Sequence, residues 1–382
     1  MNPAVENPRA LVLVGLVLVA CGGGLSREEY SEAYGEALCH RQARCGEIRD
    51  EDACVSDARE FSRAYREGGL QAYFQYEGSI RAGRLRFDEE AAEACVQRLR
   101  DIPCDERLPL TRNGTICDVL EGLQQDGEPC VLTEECSEAS YCERTGEAVC
   151  EVGTCKPRPG LDQKVAGAQE CAPGLVRIGD TCRAPSGEGG ACDSDSGCTA
   201  RLYCEWIIRE CRRFAVEGEA CSEDGVRCLP HLRCGEGSCQ RLSDVGMGCT
   251  PPLGGPSSSS DTGCKRDLFC EGEGWTPGTC RKRQGPGEPC SGSTCQGSLF
   301  CGALSQGSAW SCQPLRPPGE SCASVPCAPG AYCDRGSETC LRQGRLGEPC
   351  IVSELFSCSS GLSCEDGTCE VDFEGLCEEP RG

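Results

Sequence analysis

Thirty-nine of the 382 residues are cysteine, and this constrains the chain more than any other feature. One residue in ten is the composition of a disulfide scaffold. A cytosol keeps thiols reduced, so such usage points to an oxidising compartment. Zinc ribbons and fingers are the alternative, and they need C-x2-C or C-x4-C pairs with a partner pair or histidine. No C-x2-C occurs, and the only histidines are His40 and His231. The expectation is disulfides, with no metal and no cofactor.

Hydrophobic residues make up 38% of the chain, but that figure includes the cysteines, and aromatics are only 5%. A chain so poor in large apolar side chains cannot stabilise a large core by burial alone. Many small stapled units are expected instead. The net charge of −23 argues against nucleic acid, whose phosphates it would repel, and against adsorption to anionic lipid.

Residues Ala10 to Ala20 read ALVLVGLVLVA. The run is too short for a membrane span and suits a signal-peptide core. It ends in Leu18-Val19-Ala20-Cys21, which resembles a lipobox, in which the cysteine becomes the acylated N-terminus. The resemblance implies a signal peptide over 1–20, a lipidated Cys21 with a short glycine tether over 21–25, and a membrane partner reached through Cys21. Gly22 rather than Asp after the cysteine points to the outer membrane or cell surface. The leading region carries only Arg9, offset by Glu6, which departs from the usual basic start. Setting Cys21 aside leaves 38 cysteines, an even number.

A stapled helical domain is expected over 26–117. Ser26-Arg27-Glu28-Glu29 reads as a capping box, followed by Tyr30, Tyr34 and Leu38 on one face. A second helix fits Glu51 to Glu67 with Cys54, Ala58, Phe61 and Tyr65 on one face. Asp88 caps a third, with Ala91, Cys95 and Leu99 together. Six cysteines staple this domain in one of fifteen ways; Cys45 with Cys54 is the expected bridge. Acidic runs at the helix starts suit the helix dipole.

From Cys130 the chain repeats, giving eight units over 127–369 and a tail over 370–382. The clearest reads Gly347-Glu348-Pro349-Cys350, then Cys358, Cys364 and Cys369. Others run Cys290, Cys295, Cys301, Cys312, and Cys322, Cys327, Cys333, Cys340. Five residues always separate the second cysteine from the third, and nine always separate a fourth from the next first. Constant spacing marks fixed backbone, and the variable gaps mark surface loops. A fixed nine-residue linker suggests neighbours stacked in one repeated relation, as in a rod or solenoid.

The second unit, 165–182, is degenerate: Val165 and Arg177 stand where the first and third cysteines belong, while Cys171 and Cys182 remain. Losing both partners of one bridge strands no thiol. The pairing is therefore expected to be first-to-third and second-to-fourth: Cys171–Cys182, Cys350–Cys364 with Cys358–Cys369, and Cys290–Cys301 with Cys295–Cys312. Cys150 and Cys377 fall outside this scheme. The expected fold is thus a small disulfide-stapled α-helical domain followed by an elongated array of small disulfide-rich repeats with short β pairings.

The G-E-x-C start, and the C-x5-C with Leu or an aromatic before its second cysteine (Phe269-Cys270, Phe300-Cys301, Tyr332-Cys333), resemble the Dickkopf N-terminal cysteine-rich domain and the related EB-type modules. The resemblance covers about 240 residues in tandem. Animal Dickkopf proteins antagonise Wnt signalling, a role the lipobox does not fit. The layout also looks like surface lipoproteins of high-GC bacteria, myxobacteria among them.

Function is expected in binding or adhesion to a protein or glycan, with a structural envelope spacer and a secreted protease inhibitor as alternatives. Trp206, Trp275 and Trp310 all lie between third and fourth cysteines, where aromatics on rigid loops make binding anchors or else cover their own disulfides. Exposure decides between these. No G-x-S-x-G, H-E-x-x-H or Walker loop occurs, so no enzyme is expected. The run Asp193-Ser194-Asp195-Ser196-Gly197 lacks the far acidic ligand of a calcium loop.

Overall fold

The structure, a computed structural model, describes the chain except residues 1–23, 68–72, 107, 109–116, 145, 147, 166–169, 223–224, 251–262, 273–276, 293, 304–308, 355 and 380–382. Cys21 therefore lies outside the described residues, as do Trp275 and most of the serine-rich insertion after Thr250.

The N-terminal domain forms as its sequence dictates. Helix α1 (Arg27–Arg44) begins with the capping box, Ser26 and Glu29 bonding reciprocally. Helix α2 spans Glu51–Glu67. A short helix α3 (Glu77–Arg81) and a strand β1 (Leu85–Phe87) follow. Helix α4 (Glu89–Asp101) starts at Asp88, whose carboxylate accepts from the Ala91 N–H. Strand β1 pairs antiparallel with β2 (Leu120–Gly122). The core gathers Tyr30, Tyr73, Tyr76, Leu85, Val96 and Leu99.

Two expectations for this domain are corrected. The bridges are Cys39–Cys54, Cys45–Cys104 and Cys95–Cys117, so Cys45 does not pair with Cys54. Cys39 faces Cys54 across the α1–α2 seam, while Cys45 caps the end of α1 and meets the segment after α4. The second correction concerns Phe61, which is exposed, while Ser62 turns inward toward Ser31. The seam is too close for a large ring: a Cβ on Gly35 would lie 2.9 Å from the Cβ of Ala58. The Tyr65 side chain lies outside the described residues.

All seven complete units share the expected connectivity, first-to-third and second-to-fourth. Cys171–Cys182 bridges the degenerate unit. In each complete unit the third and fourth cysteines are cross-strand partners in a hairpin, as Cys204↔Cys211 and Cys364↔Cys369. Arg177↔Cys182 keeps that register without the disulfide, and Val165 is buried against Cys171 and Cys182 in place of the lost bridge.

The invariant spacings have specific causes. The five-residue gap holds a turn closed by a backbone bond, Leu202 N–H to Thr199 O in unit 3 and Leu175 N–H to Ala172 O in unit 2. The nine-residue gap is not a linker. Between Cys211 and Cys221, two residues finish the hairpin at Arg213, Phe214 connects, and the remaining six open the next unit. Ala215 forms a parallel bridge with Cys228, and Ala220 an antiparallel one with Ser238. Between these bridges the chain turns through Gly218 at φ 83°, whose N–H donates to the Cys239 carbonyl. The corresponding glycines, Gly127, Gly189, Gly246, Gly287, Gly319 and Gly347, all have positive φ, a region open to glycine at little cost. In unit 2 Asp162 takes that place at φ 61°, and aspartate is among the few other residues that tolerate it.

The stapled-repeat architecture holds, but the straight course does not. The array docks on the helical domain in sequence: Arg201 of unit 3 on Asp105, His231 of unit 4 on the Cys104 carbonyl, Arg266 of unit 5 on Glu47, and Ser298 of unit 6 on Glu60. It then returns to its start, where Cys377 in the tail bridges Cys150 of unit 1. The elongated rod is thus replaced by a belt around a helical hub. One connecting residue, such as Phe214, leaves neighbouring units little freedom to swing.

Candidate interaction surface

Each hairpin loop between third and fourth cysteines leaves a frame fixed by two adjacent disulfides. These disulfides explain why three cysteine sulfurs lie close together in several units, as Cys192, Cys198 and Cys211 do. Their sulfurs are spent in S–S bonds and are not the thiolates a metal needs.

In unit 3 the hairpin tip is Trp206-Ile207-Ile208-Arg209. The Arg209 N–H donates to the Glu205 carbonyl at 2.7 Å, closing the tip, with Arg209 at φ 56°. Its guanidinium meets Asp193 at 2.7 Å, tying the tip to the loop after Cys192. Trp206 is 66% exposed, and both isoleucines are exposed beside it. Trp310 is 57% exposed at the start of its strand, with its backbone held by the Cys290 N–H. Both tryptophans thus expose more than half of their surface, as binding anchors require. Trp275 lies outside the described residues.

Sequence reasoning missed a third apolar projection. In unit 8, Phe356 is 77% exposed at φ 72°, with Ile351 and Val352 exposed on the same loop. The signal was present: this loop carries Ile-Val and Leu-Phe where the matching loops read Ser-Gly-Ser-Thr in unit 6 and Ala-Ser-Val-Pro in unit 7, whose one large apolar side chain, Val325, is buried.

A cleft of about 700 Å³ lies beside unit 2, with Asp118, Glu138, Glu170, Asp193, Ser194 and Ser196 on its walls. Neither histidine lines it. Its best-placed groups are engaged: Asp193 accepts from the Gly179 N–H and pairs with Arg209, and Ser194 bonds Ser196. The Gly179 bond, with Arg209 beside it, holds the Asp193 carboxyl below the usual range. Asp195 accepts from the Cys204 N–H and pairs with Arg227. Both carboxylates of the calcium-like run thus serve the frame. Cys39 is in a disulfide, and His40 meets Glu51 at 2.9 Å, so this adjacent pair makes no nucleophile and base.

No family model matches the chain, and no curated protein or solved structure does either.

Proposed function

We propose that this protein is an exported, lipid-anchored envelope component that presents stapled loops to a protein or glycan partner, and that it is not an enzyme. The observation that carries this reading is the exposure of Trp206, Ile207 and Ile208 on a hairpin fixed by disulfides at its base. Contiguous exposed apolar groups on a soluble surface mark interaction sites. A pre-ordered loop loses little freedom on binding. The closed belt favours display over a spacer, because an array that returns to its origin gains no reach.

Export is supported by the pairing of every cysteine from Cys39 to Cys377, which an oxidising compartment permits. The outer-membrane or cell-surface address rests on the lipobox-like sequence at Cys21. A Cys21→Ser variant is expected to leave the membrane fraction with an unmodified N-terminus. The repeats are proposed as relatives of the Dickkopf and EB-type modules on their shared spacing alone.

The loop reading is tested by a photo-crosslinking residue in place of Trp206 in the full chain on intact cells. A discrete adduct is expected there and not from the same residue in place of Arg335, an exposed polar loop position of unit 7. Absence of any adduct at Trp206 and at Phe356 overturns it.

A further inference from the structure

The belt does not close tightly on its hub. Between the helical domain and units 2 to 5 lies a hollow of about 1110 Å³. Leu38 of α1, Leu175 and Val176 of unit 2, and Pro230 of unit 4 give it apolar walls. Arg41 and Glu47 of the hub meet Arg266 of unit 5 on its wall. Arg41 is 2% exposed; it donates to Glu47 at 3.2 Å and to the Glu106 carbonyl at 3.1 Å. Its Nε has no partner among the described residues. Arg266 meets the same Glu47 carboxylate through its Nε at 2.8 Å, and its side chain is partly exposed.

Two guanidinium groups therefore share one carboxylate. Asp195, the other acid on the wall, is already matched by Arg227 at 3.2 Å and by the Cys204 N–H. One positive charge is left over at an apolar hollow, inside a molecule whose net charge is −23. Burial lowers the basicity of Arg41, and Arg44 and Arg266 add to the effect against the pull of Glu47. An anion beside the pair would relieve this. A planar guanidinium matches a carboxylate in two parallel bonds, and pockets between structural units commonly take small ligands.

We propose that this hollow binds a small amphiphile, an aliphatic chain bearing one carboxylate, with the carboxylate at Arg266 and the chain against Leu38, Leu175 and Val176. Neither Trp206, Trp310 nor Phe356 lines the site, and it does not depend on the display reading.

The test is calorimetric titration of decanoate, below its micellar concentration, into the oxidised full-length protein. One saturable site is expected. Arg266→Met should weaken it about ten-fold, the loss of one charge-assisted pair, and Val176→Asp should abolish it. Decanol should bind the unaltered protein about ten-fold more weakly than decanoate, an arm that holds even if a variant fails to fold. No saturable heat, equal binding of decanol, or indifference to both substitutions overturns the proposal.

Discussion

Cys150 and Cys377, 227 residues apart, form the disulfide that closes the belt. Around it the tail is seated on the hub. The backbone of Gly375 passes so near the Gln75 carbonyl that a Cβ there would overlap it, and Arg84 donates to the Cys377 and Glu378 carbonyls at 2.6 Å. The two cysteines left over by the repeat pattern thus fix the course of the array.

Replacing both with alanine should open the belt while leaving the units folded. The chain-entropy model puts a loop of this length at about 5 kcal/mol. The staples within the units already shorten the slack, so the measured loss should be smaller. Small-angle scattering should show a larger radius of gyration for the variant, and unchanged dimensions would mean that the docking contacts alone hold the closure.

Glu135 is the polar centre of that closure. Fully buried in unit 1, it accepts from Ser79 at 2.5 Å, Arg84 at 2.9 Å and the Val131 N–H at 2.7 Å. Removing one partner of a buried pair leaves the other charge uncompensated and costs about 3–5 kcal/mol. Glu135→Ala should lower the denaturation midpoint accordingly under non-reducing conditions. Glu135→Ala with Arg84→Met should recover part of the loss, which a double-mutant cycle measures.

The turn glycines give a sharper test, because one unit supplies its own control. Gly218→Ala forces a Cβ into φ 83°, at a cost of about 1–2 kcal/mol. Asp162→Gly removes a Cβ from the matching position at φ 61° and should cost little, or stabilise slightly. Equal destabilisation by both would remove the conformational explanation of the G-E-x-C motif.

Much of the repeat frame was legible because disulfide logic is discrete. The two cysteines missing together, at Val165 and Arg177, disclose the pairing of every unit. The belt was not legible. Its contacts join residues such as Arg266 and Glu47 whose proximity no local pattern encodes, and Cys150 and Cys377 offered spacing without direction. Constant spacing suggests a linker, because sequence does not say on which side of Phe214 a unit begins. At the candidate surface, the tryptophan loops were legible from their placement, whereas the hollow needs two separate domains to exist at all.

The glutamate of G-E-x-C carries the last prediction. In unit 4, Glu219 pairs with Arg213 at 2.8 Å and accepts from the Val216 N–H at 2.9 Å, clasping its own turn. The Arg213 bond, followed by the Val216 amide, pulls its carboxyl down to about 2. Glu348 is lowered in the same way, by the Arg345 amide first and then Arg342. A depressed carboxyl stabilises the fold above its ordinary pKa, and that contribution disappears as pH falls through the folded value. The clasp should therefore hold at neutral pH and weaken progressively from about pH 4.5 to pH 2. Glu219→Gln separates the two bonds. Gln163 does the amide's part in unit 2, accepting from the Gly160 N–H at 2.8 Å, so glutamine at 219 should keep the turn but lose the Arg213 ion pair and its acid sensitivity. Carbon-detected NMR of the side-chain carboxyl reads the midpoint directly, and titration of Glu219 in the ordinary carboxylate range would show that the clasp is not held in solution.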